Sequence, residues 1–145
     1  MNKTEIYQFI ENNPVFFLAT IENDKPRCRG MFLYKADEQS GIIFHTGSNK
    51  DVFKQISKNN NVEMCFNDFK TGKQIRVSGK LEELTDTKLK DEISAHPTRE
   101  FLKPWKEAVP LDVFYSNFKV FSLKKGKALV WTMETNFAPK EEISL

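Results

Sequence analysis

The sequence predicts a mainly β fold: an antiparallel β-barrel of about six to seven strands with peripheral helices, in one domain covering residues 1–145. Three observations predict it. Strand-like runs outnumber helical ones along the chain. Most neighbouring strand-like runs are joined by short polar turns of the kind that close hairpins. Thirteen of the 145 residues are Phe, which favours half-buried pleated surfaces. Frequent hairpins argue against a doubly wound parallel sheet, which needs a helical crossover between strands.

Each element has a local reason. Asn2 can cap a first helix, with Glu5 reaching back three residues later, and Ile6, Phe9 and Ile10 then share a face. Asn12-Asn13-Pro14 ends it. Val15–Ile21 is a continuous apolar and β-branched run, read as a buried strand, and residues 22–26 form a turn. Arg27–Tyr34 follows as a strand, with Arg27, Arg29, Met31 and Leu33 on one face and Cys28, Gly30, Phe32 and Tyr34 on the other. After a polar turn, Ile42–Thr46 completes an antiparallel meander of three strands.

A second helix is expected over about Lys50–Lys58, with Val52, Phe53 and Ile56 inward, stopped by Asn59-Asn60-Asn61. Val62–Phe66 reads as a strand, and Gln74–Leu84 as one long strand after a Gly-containing turn. Asp86 can cap a third helix ending at Ala95. Residues 96–110 carry three prolines and irregular aromatics and read as a loop or short helices covering something. Phe118–Leu123 and Ala128–Met133 look like a final hairpin, and the tail from Glu134 to Leu145 reads as polar and surface-lying.

The bulk numbers exclude several classes. The net charge of +2, from 22 basic and 20 acidic residues, lacks the basic field of a dedicated nucleic-acid binder. The longest apolar run, Val15–Ala19, is far too short to span a membrane, and the first residues lead into no signal-peptide core. A cytoplasmic protein is the expectation. Cys28 and Cys65 sit far apart in strand-like runs and read as reduced packing residues; with two His and no ligand spacing, a zinc site is not expected.

The best candidate for chemistry lies in Phe44-His45-Thr46-Gly47-Ser48-Asn49-Lys50. Thr46 and Ser48 offer hydroxyls, Gly47 permits close backbone approach, and Lys50 brings charge to a helix start whose N–H groups are unpaired. The same run is also what an ordinary strand-to-helix turn with a solvated lysine looks like. Arg27 and Arg29 either line an anion pocket with Lys50 or lie on the wet face of an edge strand. The amide of Gln74 suits the edge of a heteroaromatic ring, or simply solvent. Trp131 reads as a core or interface residue, Trp105 as packing in a lid, and His45 as a strand-end hydrogen-bonding group. No nucleophile–base spacing, Gly-x-Ser-x-Gly elbow, Walker loop or Rossmann glycine fingerprint is present. An anion pocket with aromatic walls and no acid–base machinery points to chemistry carried by a cofactor.

Four runs occur in order: Phe17-Leu18-Ala19-Thr20, Asp24-Lys25-Pro26-Arg27-Cys28-Arg29, Phe44 to Lys50, and Gln74-Ile75-Arg76-Val77-Ser78-Gly79-Lys80-Leu81-Glu82. Together they resemble the pyridoxamine 5′-phosphate oxidase-like FMN-binding split barrels, and within them the small single-domain branch of Nim-type and general stress proteins. No single run is specific; their order and spacing carry the resemblance. It implies a homodimer with two FMN sites, each built from both subunits. Arg29 falls at the basic position near the flavin phosphate or ribityl chain, with Gly30, Met31 and Phe32 in the strand lining the ring. His45 and Thr46 match the strand end that contacts flavin, Lys50 the phosphate-binding lysine, and Gln74 the position that reaches the ring from the partner strand. Trp131 would flank the ring from the C-terminal hairpin.

Two departures count against oxidation of pyridoxamine phosphate. The oxidase itself has a Ser-Arg-Lys run and a strand lysine where this chain has Asn49-Lys50-Asp51 and Tyr34, and its C-terminal Arg/His substrate motif is missing. The expectation is therefore an FMN-dependent oxidoreductase passing electrons from a reduced nicotinamide to a small acceptor such as a nitroaromatic or quinone. The alternative is a non-enzymatic flavin- or haem-binding sensor, with His45 as the group that would serve a haem iron.

Overall fold

The computed structural model describes residues 1–145. Ten strands form two antiparallel sheets. They are β1 (Val15–Glu22), β2 (Lys25–Phe32), β3 (Lys35–Asp37), β4 (Gly41–Gly47), β5 (Asn61–Asn67), β6 (Gln74–Lys80), β7 (Glu82–Leu84), β8 (Phe118–Leu123), β9 (Lys127–Trp131) and β10 (Ile143–Ser144). Seven of them have five residues or more, and these are the strands legible as apolar or alternating runs. The first sheet has the order β10-β9-β6-β5-β1-β2, and the second β3-β4-β8-β7.

Helix α1 (Lys3–Asn12) opens with the expected capping box: the Asn2 side chain accepts from the Glu5 N–H, and the Glu5 carboxylate accepts from the Asn2 N–H. It buries Ile6, Tyr7 and Ile10. Helix α2 (Asp51–Lys58) buries Val52, Gln55 and Ile56. The main core lies between the sheets, where Phe16, Leu18, Phe44, Met64, Phe66, Ile75 and Val77 are fully buried. Phe16 stacks on Phe66 at 4.9 Å and meets Phe44 edge-on at 5.8 Å, arrangements that favour aromatic pairs. A smaller core forms where α3 (Thr87–Ala95), a 3₁₀ helix (Pro97–Leu102), α4 (Lys103–Ala108) and α5 (Leu111–Asn117) cap the far side of the second sheet. Ile43, Phe118 and Val120 of the sheet meet Ile93, Leu102 and Phe114 of the cap.

Four sequence expectations are corrected. The three-stranded meander stops after β2, because β4 pairs with β3 and β8 in the other sheet. The long strand from Gln74 breaks at Leu81, a buried residue whose N–H donates to the Asn60 carbonyl and whose carbonyl accepts from Asn60 Nδ2. β6 thus serves one sheet and β7 the other. The final hairpin is absent: β8 and β9 lie in different sheets, and the chain crosses between them at Gly126. A Cβ there would sit 2.5 Å from Leu123 Cδ2 and 2.7 Å from Val77 Cγ1, so any larger residue at the crossing would force those side chains to shift. The tail lies on the surface over residues 134–142 as expected, but its end returns as β10 beside β9, and Ile143 and Leu145 pack on the main core. The reading of residues 96–110 as short covering helices holds, and α5 extends the cap.

Candidate functional site

The register of β1 and β2 pairs Leu18 with Arg29 and Thr20 with Arg27, so both arginines lie on the inner face of β2, as the alternation implies. Beside them begins α2, with Lys50 as its N-cap residue. Arg27, Arg29 and Lys50 line one open cleft of about 520 Å³, together with Glu22, Asp51 and Gln55. Arg27 is paired with Glu22 at 3.1 Å. Arg29 has no carboxylate partner. Its Nη1 donates to the Leu18 carbonyl at 3.1 Å and to Thr20 Oγ1 at 2.8 Å, and its Nη2 donates to Gln55 Oε1 at 2.5 Å. Desolvation by the barrel wall lowers the Arg29 pKa, but a guanidinium stays charged at any ordinary pH. The cleft therefore presents a fixed, half-buried positive charge, an exposed lysine and the free N–H groups of a helix start.

A second set of expected residues lies on the outer face of the first sheet. Gly30 and Phe32 of β2 share that face with Val15, Phe17, Ala19 and Ile21 of β1. Phe17 and Phe32 are 44% and 45% exposed, respectively. Further along the same face, Gln74 pairs across strands with Trp131. Gln74 Nε2 donates to Asn67 Oδ1 at 2.8 Å, and Trp131 Nε1 donates to Asn136 Oδ1 at 2.8 Å. Gln74 and Trp131 line a cleft of about 700 Å³ between the sheet and residues 132–143 of the tail.

The remaining expected residues lie apart. Met31 packs against the main core. Thr46 shares the Phe44 side of β4 and does not line the Arg29 cleft. The Ser48 hydroxyl donates to Asn117 Oδ1 at 2.7 Å, so it ties the loop to the cap instead of facing a phosphate. His45 points into the cap, stacked near Phe101 and Phe118. Its Nε2 accepts from Arg99 Nε at 2.9 Å, which occupies the lone pair an iron would need. Burial and the Arg99 charge push the His45 pKa down to about 4. Arg99 is 1% exposed and donates also to the Leu33 carbonyl, with Phe32 and Tyr34 against its guanidinium.

Sequence reasoning missed Thr20, Gln55 and Arg99. The first two carried a signal: each is a polar residue at a position where the strand or helix period demands an apolar one. Arg99 carried none, since it lies in an irregular segment.

The chain matches the family described as "Pyridoxamine 5'-phosphate oxidase" over residues 3–122. It is 38% identical over 69 residues to a pyridoxine/pyridoxamine 5'-phosphate oxidase of Ehrlichia ruminantium, a match covering 47% of this chain and 35% of that protein. The match thus spans about a third of the curated relative's length. Among solved structures, a NimC/NimA family protein from Clostridium acetobutylicum superposes with a TM-score of 0.74 at 23% identity, over 97% of this chain and 91% of that one. A pyridoxamine 5'-phosphate oxidase-related, FMN-binding protein from Nostoc punctiforme superposes with a TM-score of 0.57 at 15% identity, over 97% and 88% of the two chains. At those identities the superpositions establish the shared split-barrel fold, while the family match extends across both sheets and the cap. The chain belongs to the pyridoxamine 5'-phosphate oxidase family.

Proposed function

We propose that this protein is an FMN-binding flavoprotein of the oxidoreductase class, acting as a homodimer in the cytoplasm. The observation that carries the reading is the convergence of Arg29 and Lys50 on one cleft at the start of α2. The donor set fits a phosphate monoester: a guanidinium held by neutral acceptors, an ammonium and free backbone N–H groups. Bound FMN would supply the redox chemistry, taking hydride from a reduced nicotinamide and passing electrons to a small acceptor such as a nitroaromatic or quinone.

The chain's own residues hold and shield that group. Arg29 and Lys50 bind its anionic end. Phe32 and Phe17, on the opposite face of β1 and β2, are left for a second copy of the chain to cover. A second copy of the chain, seated on the exposed face of β1 and β2, brings Gln74 and Trp131 toward the first copy's cleft. The Gln74 amide then offers a donor and an acceptor to a ring edge. Tyr34 and Asp51 stand where a pyridoxamine phosphate oxidase carries basic residues, so that substrate is not proposed. No helix of the chain is long and apolar enough to cross a membrane. Both cysteines are free, in keeping with a reducing compartment.

The test is absorbance and mass spectrometry of the ligand carried by freshly purified protein, followed by anaerobic addition of reduced nicotinamide. A yellow protein releasing FMN and bleaching with the nicotinamide is expected. A colourless protein that ignores added FMN would overturn the reading.

A further inference from the structure

Gln55 is 5% exposed, yet it is an amide on the buried face of α2. A buried amide is costly unless its groups are used. Here Oε1 accepts from both Thr20 Oγ1 and Arg29 Nη2, each at 2.5 Å, and Nε2 donates to Glu22 Oε2 at 3.2 Å. Glu22 in turn accepts from Arg27 at 3.1 Å through its other oxygen. The result is a continuous chain Arg27–Glu22–Gln55–Arg29–Thr20 along the floor and wall of the cleft.

We propose that Gln55 is a positioning residue for the phosphate end of the cofactor: it aims the Arg29 guanidinium into the cleft and keeps that charge from pairing with Glu22. This deepens the flavin reading and rests on it. The argument is chemical. Arg29 has five N–H donors and no carboxylate partner. A neutral acceptor at Nη2 fixes the plane of the guanidinium without cancelling its charge. A carboxylate in the same place would fix it equally well and neutralise it, leaving a phosphate to compete with a permanent counter-ion. Gln55 Nε2 meanwhile engages the oxygen of Glu22 that Arg27 leaves free, and so holds that carboxylate on the Arg27 side.

The experiment compares FMN with riboflavin, which has the same ring and lacks the phosphate, by quenching of flavin fluorescence on titration into flavin-free dimer. The variants are Gln55→Met, Gln55→Glu and Arg29→Met, with circular dichroism melting as the check on folding. Losing a hydrogen bond to a charged group predicts an FMN Kd raised roughly tenfold in Gln55→Met, with riboflavin Kd changed by less than about twofold. Gln55→Glu, nearly isosteric and still an acceptor, is expected to bind FMN more weakly than Gln55→Met. In the Arg29→Met background, Gln55→Met is expected to add nothing.

Equal losses for FMN and riboflavin, or Gln55→Glu binding FMN as well as wild type, would overturn the proposal by assigning Gln55 to packing alone. A wild type that prefers FMN and loses the preference in Arg29→Met but not in Gln55→Met also overturns it, with the flavin reading intact. A wild type indifferent to the phosphate, and unaffected by Arg29→Met, removes the phosphate site and this role of Gln55 with it; a wild type that binds neither flavin removes the flavin reading as well.

Discussion

Acidification should weaken this fold through His45, in a way one substitution can isolate. The imidazole sits in the cap with Arg99 Nε donating to its Nε2, so the neutral ring carries its proton on Nδ1. Protonating Nε2 breaks that bond and sets two cations face to face. Burial and the Arg99 charge lower the His45 pKa from 6.5 to about 4. Between those values an unfolded chain takes up a proton that the folded chain refuses, so stability present above pH 6.5 is lost as the pH falls. The loss levels off below about 4, where the folded protein is protonated too. The gap corresponds to about 3 kcal/mol, a large share of the stability of a small domain. His45→Gln keeps an acceptor for Arg99 without a titrating group. Urea unfolding of both proteins, followed by tryptophan fluorescence at one protein concentration from pH 7.5 to 4, gives the comparison. Glu22, Asp37 and Asp91, whose hydrogen-bonded carboxyls titrate below their ordinary range, are common to both proteins and cancel. The expected outcome is a wild-type curve that falls more steeply than that of the variant, by about 3 kcal/mol across the range. Parallel curves would refute the assignment of His45 as an uncharged acceptor of Arg99.

Gly126→Ala should cost about 1–3 kcal/mol, read as a lower urea midpoint, because its Cβ would collide with Leu123 and Val77 at the sheet crossing. Phe16→Ala, in the centre of the aromatic cluster, should cost about 3–5 kcal/mol by the same measurement. Phe17→Asp should turn a dimer into a monomer in sedimentation velocity while leaving the far-UV circular dichroism unchanged; a dimer that persists would place the subunit contact elsewhere.

The strands that form the barrel were legible because their side-chain alternation or continuous apolar character is local. The inner face of β2, with Arg27 and Arg29 together, followed from parity alone, and so did the buried face of α2 around Val52 and Ile56. Sheet membership was not legible. Nothing in the run Gln74–Leu84 announces a break, because the break is made by Asn60, a residue 21 positions away, holding both backbone groups of Leu81. Gly126 looked like a hairpin residue, since the closeness of Val77 that makes it a crossing is a tertiary fact. The candidate residues likewise came in the right order but dispersed in space. Arg29 and Lys50 meet; His45 turns away to the cap, because successive residues of β4 alternate between the two cores. Gln55 was visible as a polar residue on an apolar stripe, and its meaning depended on knowing that Arg29 lay opposite.

The double hold of Asn60 on Leu81 pins the point where the polypeptide passes from one sheet to the other. The two sheets also share one core, in which Phe16 and Phe66 of the first meet Phe44 of the second, so heat or denaturant should meet a single melting unit. The Leu81 amide proton should then exchange with solvent only through global unfolding, at the rate of the slowest protons in the molecule.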